Sequence, residues 1–268
     1  MPSHGDEVVL FECSDGLATI TLNRERAYNA LDLAMAEQLL DALIRCDEDT
    51  AVRAVMITGR GAAFCAGGDI RGMLERVKSD GTASRFLKEL TVRVHGVIAT
   101  LARMPKPVVT AVNGAAAGAG FSLALAGDLV VAADSAQFTV AYTGIALAPD
   151  GGSTFFLPRL IGAKRALELI VSNRSVPAAE AKELGLVNEV YPAADFAAKA
   201  KAYAASLAQG PTLAYGCAKK LLTLSAECSI ETQMEHERRA IAACGGTEDF
   251  REGADAFFAK RRPVFRGR

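Results

Sequence analysis

Hydrophobic residues recur along the chain at spacings that alternate between those of strands and those of helices. Residues 7–12 and 17–22 are rich in β-forming residues and flank a Ser-Asp-Gly turn, which predicts a β-hairpin. Asp32 then suits the N-cap of an amphipathic helix that reaches at least Ile44, and the apolar run 54–59 predicts the next strand. A strand, a helix and a strand in this order predict a parallel pair of strands.

An uncharged run of 21 residues, 107–127, precedes Asp128. Residues 108–112 favour a strand, Asn113-Gly114 favours a turn and residues 118–126 favour a buried helix, with another apolar strand at 129–133. The backbone N–H groups at such a helix start favour negative charge, including an oxyanion that forms only during a reaction. The alternatives are a bilayer span, against which the turn and the clustered glycines argue, and tight helix packing without function.

A glycine-rich loop, residues 59–73, comes earlier in the chain and also follows a predicted strand. It is the first of two glycine-rich loops, and the run before Asp128 contains the second. It lacks the Lys-Ser/Thr pair of a phosphate-binding P-loop, and its glycine spacing does not match a dinucleotide-binding fingerprint. By itself this loop therefore indicates no particular ligand.

The rest of the chain is predominantly helical in pattern. Residues 83–103 predict a helix, residues 153–173 predict another, and Ser175 with Pro177 predicts the start of a third by the capping and first-turn rules. From Asp195 onward the chain is rich in Ala, Leu, Lys and Glu, which predicts a helical layer that could form an assembly surface.

The composition narrows the class of protein. With 268 residues, half of them hydrophobic, the chain can bury a large core without disulfides or metals. Thirty basic and thirty-one acidic residues give no bias toward nucleic acid or a membrane surface. The six cysteines form no C-x-x-C pair, and the N-terminus has no signal-peptide pattern, so we expect a cytoplasmic protein. The histidines His4, His95 and His236 are far apart in the sequence and show no ligand spacing, so neither a metal site nor a catalytic role is expected of them.

The two glycine-rich loops belong to a longer set of segments that resembles the enoyl-CoA hydratase/isomerase (crotonase) superfamily. The segments are TLNRERAYNALD, AVMITGRGAAFCAGGDI, KPVVTAVNGAAAGAG, PDGGSTFFLPRLIG, AKELGLVNEVY and EDFREGADAFFAKRRPVFRGR. The resemblance implies an α/β fold, a spiral of repeated β-β-α units. It further implies an acyl-CoA-binding core over residues 1–194 and a C-terminal helical region over residues 195–268 that builds trimers, often hexamers. It also implies acyl-CoA thioester substrates, with coenzyme A as part of the substrate and no separate cofactor.

The resemblance also assigns site residues. One backbone N–H from each glycine-rich loop is expected to hold the thioester oxygen, and by position these belong to Ala66 and Ala119; two such loops can aim donors at one developing charge. The coenzyme A portion is expected to contact residues of three segments: Arg26, Ala27 and Ala30; Gly67, Gly68, Asp69 and Ile70; and Phe257 and Lys260, the last two on the ligand of their own or of a neighbouring subunit. For Arg26 and Lys260 a solvated surface charge is the alternative.

The acid–base residues depart from the hydratase pattern. Hydratases of the family use two glutamates to move water, and this chain has Ser122 and Tyr142 at those places. These two residues and Gly118 are expected to line the substrate pocket. Because hydration needs one group to activate water and another to protonate the α-carbon, the loss of both carboxylates argues against efficient hydration.

Asp150 offers a different chemistry. It lies in a Pro-Asp-Gly-Gly segment similar to that of isomerases related to ring-epoxyphenylacetyl-CoA isomerase, in which the aspartate shuttles a proton between carbons. The alternative is that Asp150 only caps the helix that starts at Ser153. Cys65 could be mistaken for a nucleophile, but without a paired histidine it is expected to be a small lining residue.

Three functions remain open from the sequence. The first is an acyl-CoA isomerase that works through Asp150, and the second is an enoyl-CoA hydratase of unusual or low activity. The third is a non-catalytic acyl-CoA-binding or scaffold protein that has kept the fold without the chemistry.

Overall fold

The computed structural model describes residues 7–268. Residues 1–6 lie outside the described range. They include His4 and the first residues of the N-terminus, in which the sequence shows no signal-peptide pattern. Within that range no helix is both long and apolar enough to cross a membrane.

Ten strands among residues 7–268 form two sheets. The first sheet has six strands in the order β1-β2-β3-β5-β7-β10 and the second has four in the order β4-β6-β8-β9. Their bounds are β1 Val9–Ser14, β2 Leu17–Leu22, β3 Ala54–Gly59, β4 Ala63–Cys65, β5 Val108–Val112, β6 Ala115–Ala117, β7 Leu129–Ala133, β8 Gln137–Thr139, β9 Val176–Pro177 and β10 Glu189–Tyr191.

Eleven α-helices in the described range cover the sheets and extend beyond them. They are α1 Leu33–Glu48, α2 Ile70–Asp80, α3 Ser84–Arg103, α4 Ala119–Ala126, α5 Ser153–Ile161, α6 Ala163–Ser172, α7 Ala178–Glu183, α8 Phe196–Ala208, α9 Thr212–Ser225, α10 Ile230–Gly245 and α11 Glu248–Phe258. Short 3₁₀ turns occupy Glu25–Ala27 and Thr143–Ile145.

The predicted start of the fold is confirmed. β1 and β2 form an antiparallel hairpin, and Asp15 and Gly16 at its turn adopt the positive φ angles that tight turns require. The Asp32 side chain caps α1 by accepting a hydrogen bond from the Met35 amide at 2.8 Å. β2 and β3, the strands on either side of α1, pair in parallel, as predicted.

The first sheet is buried on both faces. One face packs against the main core, whose largest buried side chains include Phe64, Phe121 and Phe138. The other face packs against α8, which presents Ala200, Ala204 and Ala208 at four-residue spacing. These small side chains let the helix lie close to the sheet.

Three predicted elements differ in the structure. The turn after β5 leads first into the short strand β6 and only then into α4, because the alanines of β6 pair in parallel with β4 and β8. The helix predicted over residues 153–173 is two helices that break at Gly162, which has a φ of 82°. Ser175 does not cap α7: Pro177 holds the N-cap position without a side-chain bond, and Val176–Pro177 pairs with β8.

From Phe196 onward the chain is helical, as predicted, with α8 to α11 in succession. Lys219 on α9 joins this region to the core, because its Nζ donates to the Asp128 carboxylate at 2.8 Å and to the Leu101 carbonyl at 2.6 Å. Burial lowers the pKa of Lys219 and raises the pKa of Asp128, while their mutual attraction opposes both shifts. The division into two functional units at residues 194 and 195 stays a prediction.

Candidate active site

A cavity of about 210 Å³ lies between the two glycine-rich loops and the start of α5. Its walls are mainly apolar, and Asp150 is the single carboxylate among the described residues that line it. Apolar walls with few polar groups are typical of small-molecule sites. The apolar side chains include Leu31, Met73, Leu87, Leu90, Val94 and Leu147.

Glycine allows the two loops to approach each other. A Cβ placed on Gly120 would lie 2.0 Å from the Cys65 carbonyl oxygen, and one on Gly67 would lie 2.9 Å from the Ala117 oxygen. Gly67 also has a φ of 102°, which disfavours other residues. The backbone of the first loop therefore lies directly against the start of α4.

The start of α4 presents an unused amide. Ala119 is the first residue of the helix and lines the cavity, and its N–H has no hydrogen-bond acceptor within residues 7–268. The first N–H groups of a helix have no intrahelical partner and lie at the positive end of its dipole. This location agrees with the donor role expected of Ala119.

The prediction that Ala66 supplies the N–H donor of the first loop is wrong. The Ala66 N–H already donates to the Tyr28 carbonyl at 3.0 Å, so it is not available to a thioester oxygen. Gly68, two residues later, also lines the cavity, and its N–H makes no hydrogen bond in the described part of the chain.

A parallel bridge between Leu31 and Gly68 sets the direction of that amide. The Leu31 N–H donates to the Gly67 carbonyl at 2.7 Å, and the Asp69 N–H donates to the Leu31 carbonyl at 3.0 Å. In a parallel bridge the two neighbours of Gly68, and not Gly68 itself, make the hydrogen bonds to Leu31. The N–H of Gly68 therefore points away from Leu31. In the described part of the first loop the amide that is free at the cavity is therefore that of Gly68 and not that of Ala66.

Asp150 is held by side chains and does not act as a helix cap. The Tyr142 hydroxyl donates to Asp150 Oδ1 at 2.6 Å, and Gly152 is the N-cap of α5, without a side-chain bond. The Asp150 side chain remains 28% exposed. The capping alternative for Asp150 is therefore wrong.

Ser122 completes the network around Asp150. Its Oγ lies 2.9 Å from the Tyr142 hydroxyl and donates to the Asp150 carbonyl at 2.9 Å. Burial, and secondly the charge of Asp150, raise the pKa of Tyr142 far above its ordinary value, so its hydroxyl stays protonated. Tyr142 and Gly118 line the cavity, whereas Ser122 lies fully buried behind Tyr142.

His95 was not identified from the sequence. It lies on α3 with Nε2 3.8 Å from Asp150 Oδ2, and its side chain is 55% exposed. The two residues are far apart in the chain, so only the packing of α3 beside the turn before α5 brings them together.

The residues expected to bind coenzyme A fall into two groups. Arg26 and Ala27 lie in the 3₁₀ turn and Ala30 follows it, on the segment that the Leu31 bridge connects to the first glycine-rich loop. Gly67, Gly68 and Ile70 line the cavity, and Asp69 instead caps α2 through the Gly72 amide at 3.1 Å. The Leu31–Gly68 bridge therefore brings the two segments of this first group together beside the cavity.

The second group lies elsewhere. Phe257 and Lys260 are exposed near the end of α11 and do not line the cavity in a single chain. Their contact with coenzyme A stays a prediction.

Cys65 is a small residue of the buried core. It is fully buried, and burial raises the pKa of its thiol to about 12. A thiol of this kind is not ionised at neutral pH and is a poor nucleophile. This agrees with the structural role expected of Cys65.

Known proteins match this chain over nearly its whole length. The family model for enoyl-CoA hydratase/isomerase matches residues 12–268. A 1,2-epoxyphenylacetyl-CoA isomerase of Escherichia coli K12 is 37% identical over 98% of this chain and 99% of its own. A 4-chlorobenzoyl coenzyme A dehalogenase-2 of an Arthrobacter species is also 37% identical, over 97% of this chain and 94% of its own.

Solved structures match equally well. An enoyl-CoA hydratase of Bacillus anthracis superposes with a TM-score of 0.91 at 35% identity, over 98% of this chain and all of that one. The chain has the crotonase fold and belongs to the enoyl-CoA hydratase/isomerase family.

Proposed function

We propose that this protein is an acyl-CoA isomerase that moves a double bond by transferring a proton through Asp150. The observation that carries the proposal is a single carboxylate in an apolar cavity, with one oxygen held by Tyr142 and the other free of any hydrogen bond within residues 7–268. The E. coli relative named as a 1,2-epoxyphenylacetyl-CoA isomerase supports isomerisation of a CoA ester, although its named substrate is an epoxide.

The proposed reaction starts from a 3-enoyl-CoA. Asp150 Oδ2 takes a proton from C2, and the negative charge that develops spreads to the thioester oxygen. The N–H groups of Gly68 and Ala119 stabilise that oxygen as an enolate. The proton then moves from Asp150 to C4, which gives the 2-enoyl-CoA and restores the carboxylate.

The same geometry supports hydration less well. The hydroxyls of Ser122 and Tyr142 hydrogen-bond to each other and to Asp150, so neither is a free base for water. A single carboxylate would then have to activate water and also supply the proton at the α-carbon.

A second candidate reaction is hydrolytic displacement. In it the Asp150 carboxylate attacks an activated ring carbon, the carbon–chlorine bond breaks and chloride leaves. Water activated by His95 then hydrolyses the resulting ester, which restores Asp150 and gives the hydroxylated product. The position of His95 and the relative named as a dehalogenase favour this candidate, whereas the hydrogen bond from Tyr142 reduces the nucleophilicity of Asp150.

One set of assays separates these functions. The protein is incubated with 3-enoyl-CoA, 2-enoyl-CoA and 4-chlorobenzoyl-CoA, and double-bond migration, hydration and chloride release are followed separately. We expect migration to dominate, and Asp150→Asn to lower it by about 10² to 10⁴, because Asn keeps the size but cannot accept the proton. Dominant hydration or chloride release would reject the isomerase proposal, and binding without any turnover would favour the scaffold.

The assembly also belongs to the proposal. The C-terminal helices expose large apolar side chains, including Ile230, Met234, Ile241, Phe250 and Phe258. Exposed apolar surface of this kind favours association. We therefore propose a homotrimer or a dimer of trimers, in which Phe257 and Lys260 reach a neighbouring subunit's ligand.

A further inference from the structure

Arg24 connects the two segments that meet beside the cavity. Its Nη2 lies 2.9 Å from Asp69 Oδ2 and 3.1 Å from Asp32 Oδ2, and its Nη1 donates to the Ala30 carbonyl. The Arg24 side chain is only 19% exposed. One guanidinium thus joins the end of the 3₁₀ segment, the start of α1 and the start of α2.

The two carboxylates that Arg24 contacts have special positions. Asp32 directly follows Leu31 and Asp69 directly follows Gly68, and Leu31 and Gly68 are the bridged pair. Arg24 therefore links the two residues that immediately follow the bridged pair, and this bridge sets the direction of the Gly68 amide. A planar guanidinium suits this task because its N–H groups have fixed directions.

The pKa of Asp69 agrees with a fixed ion pair between Asp69 and Arg24. Burial is the largest single effect on Asp69 and would raise its pKa. The hydrogen bonds from Arg24 and from the Gly72 and Arg71 amides, together with the charge of Arg24, outweigh it and hold that pKa below the usual range. Asp69 therefore stays ionised and paired while its other oxygen caps α2. Further bonds hold the Arg24 backbone, whose N–H donates to Asn29 Oδ1 at 3.0 Å.

We propose that Arg24 is a positioning residue that holds the Gly68 amide in place for the thioester oxygen and couples that amide to the segment expected to hold coenzyme A. The inference rests on the proposed role of Gly68 and Ala119 as oxyanion donors. It assigns to Arg24 an effect on the polarisation of the thioester carbonyl, which a residue that only stabilises the fold would not have.

The test uses the infrared band of a bound thioester. A saturated acyl-CoA labelled with ¹³C at the carbonyl is bound to the wild type, Arg24→Met, Arg24→Lys and Arg60→Met. A saturated chain has no double bond to migrate, so the band reports the donors alone. Arg60→Met is the matched control, because Arg60 is an exposed neighbour paired with Glu25 at 3.8 Å and with neither Asp32 nor Asp69.

We expect the wild type and Arg60→Met to show the same shift of the carbonyl band to lower frequency. Arg24→Met should show a smaller shift and a kcat about 10²-fold lower for 3-enoyl-CoA, with KM changed only a few-fold. Arg24→Lys should be intermediate, because an ammonium restores the charge but not the fork geometry.

The outcomes separate the two proposals. A wild type without a band shift would reject the oxyanion donors and with them the proposed function. A wild-type shift that persists in Arg24→Met would reject the role of Arg24 alone. If Arg24→Met does not fold, Arg24→Lys decides, and a full wild-type shift in that variant overturns the inference.

Discussion

The close approach of the two glycine-rich loops can be tested at Gly120. Because glycine has no side chain, a substitution there removes no side-chain contact and changes only the spacing of the loops. Gly120→Ala adds one methyl group. That methyl would lie 2.0 Å from the Cys65 carbonyl oxygen and 2.7 Å from its carbonyl carbon. Both atoms belong to the backbone of the opposing loop, so no side-chain rotation relieves the overlap.

The structure sets the size of the effect. Real Cβ contacts do not fall below 3.0 Å, so α4 and the Cys65 segment must separate by at least about 1 Å. The Ala119 amide lies at the start of α4, and Gly68 lies three residues after Cys65. A misplacement of about 1 Å in a catalytic array lowers the rate by roughly 10²-fold, and overpacking costs about 1–3 kcal/mol of stability.

The assay compares kcat with folding in the same preparations. Isomerisation of 3-enoyl-CoA is measured at a temperature at which thermal denaturation shows Gly120→Ala to be folded. Gly245→Ala is the matched control, because Gly245 ends α10 and its added Cβ would meet no atom within 4 Å. A kcat for Gly120→Ala within a few-fold of the control would refute the view that contact between these loops builds the oxyanion site.

Three further predictions concern binding, pH and assembly. Lys260→Ala should raise KM for CoA esters more than it lowers kcat, the pattern of uniform binding remote from the reacting carbons, and an unchanged KM would remove Lys260 from the site. Asp69→Asn should destabilise the fold at neutral pH, as denaturant titrations can measure. That difference should disappear as the pH falls through the lowered pKa of Asp69, because the wild-type carboxyl is then also neutral; a difference that persists at acid pH would contradict the ion pair with Arg24. Light scattering should give three times the 28.1 kDa mass of one chain, or six times, and a monomer would exclude a neighbouring subunit's contribution.

Much of the fold could be predicted because local patterns determine it. Apolar β-branched runs predicted β3, β5 and β7, and the Asp32 cap predicted α1. The strand β6 was missed because three alanines carry no strand signal, and it pairs only through distant strands. The helix predicted to start at Ser175 does form, but it begins only at Ala178, because Val176 and Pro177 pair with β8 first.

The site was predicted less completely, for a related reason. Asp150 was identified from its segment, and the structure excludes the capping alternative. The choice of Ala66 failed because a sequence does not reveal which backbone amides are already used, here by the Tyr28 carbonyl. Arg24 and His95 were missed because their partners, Asp69 and Asp150, lie 45 and 55 residues away.

The central claim is that one carboxylate carries a proton from C2 to C4, and isotope transfer tests it most directly. A 3-enoyl-CoA carrying deuterium at C2 is converted in ordinary water, and the position of the label in the product is read by mass spectrometry and NMR. We predict a 2-enoyl-CoA in which some molecules carry that deuterium at C4, because Asp150 receives and returns the same nucleus within an apolar cavity. A product that is only 3-hydroxyacyl-CoA, or a 2-enoyl-CoA with no deuterium at C4 in any molecule, would contradict the account.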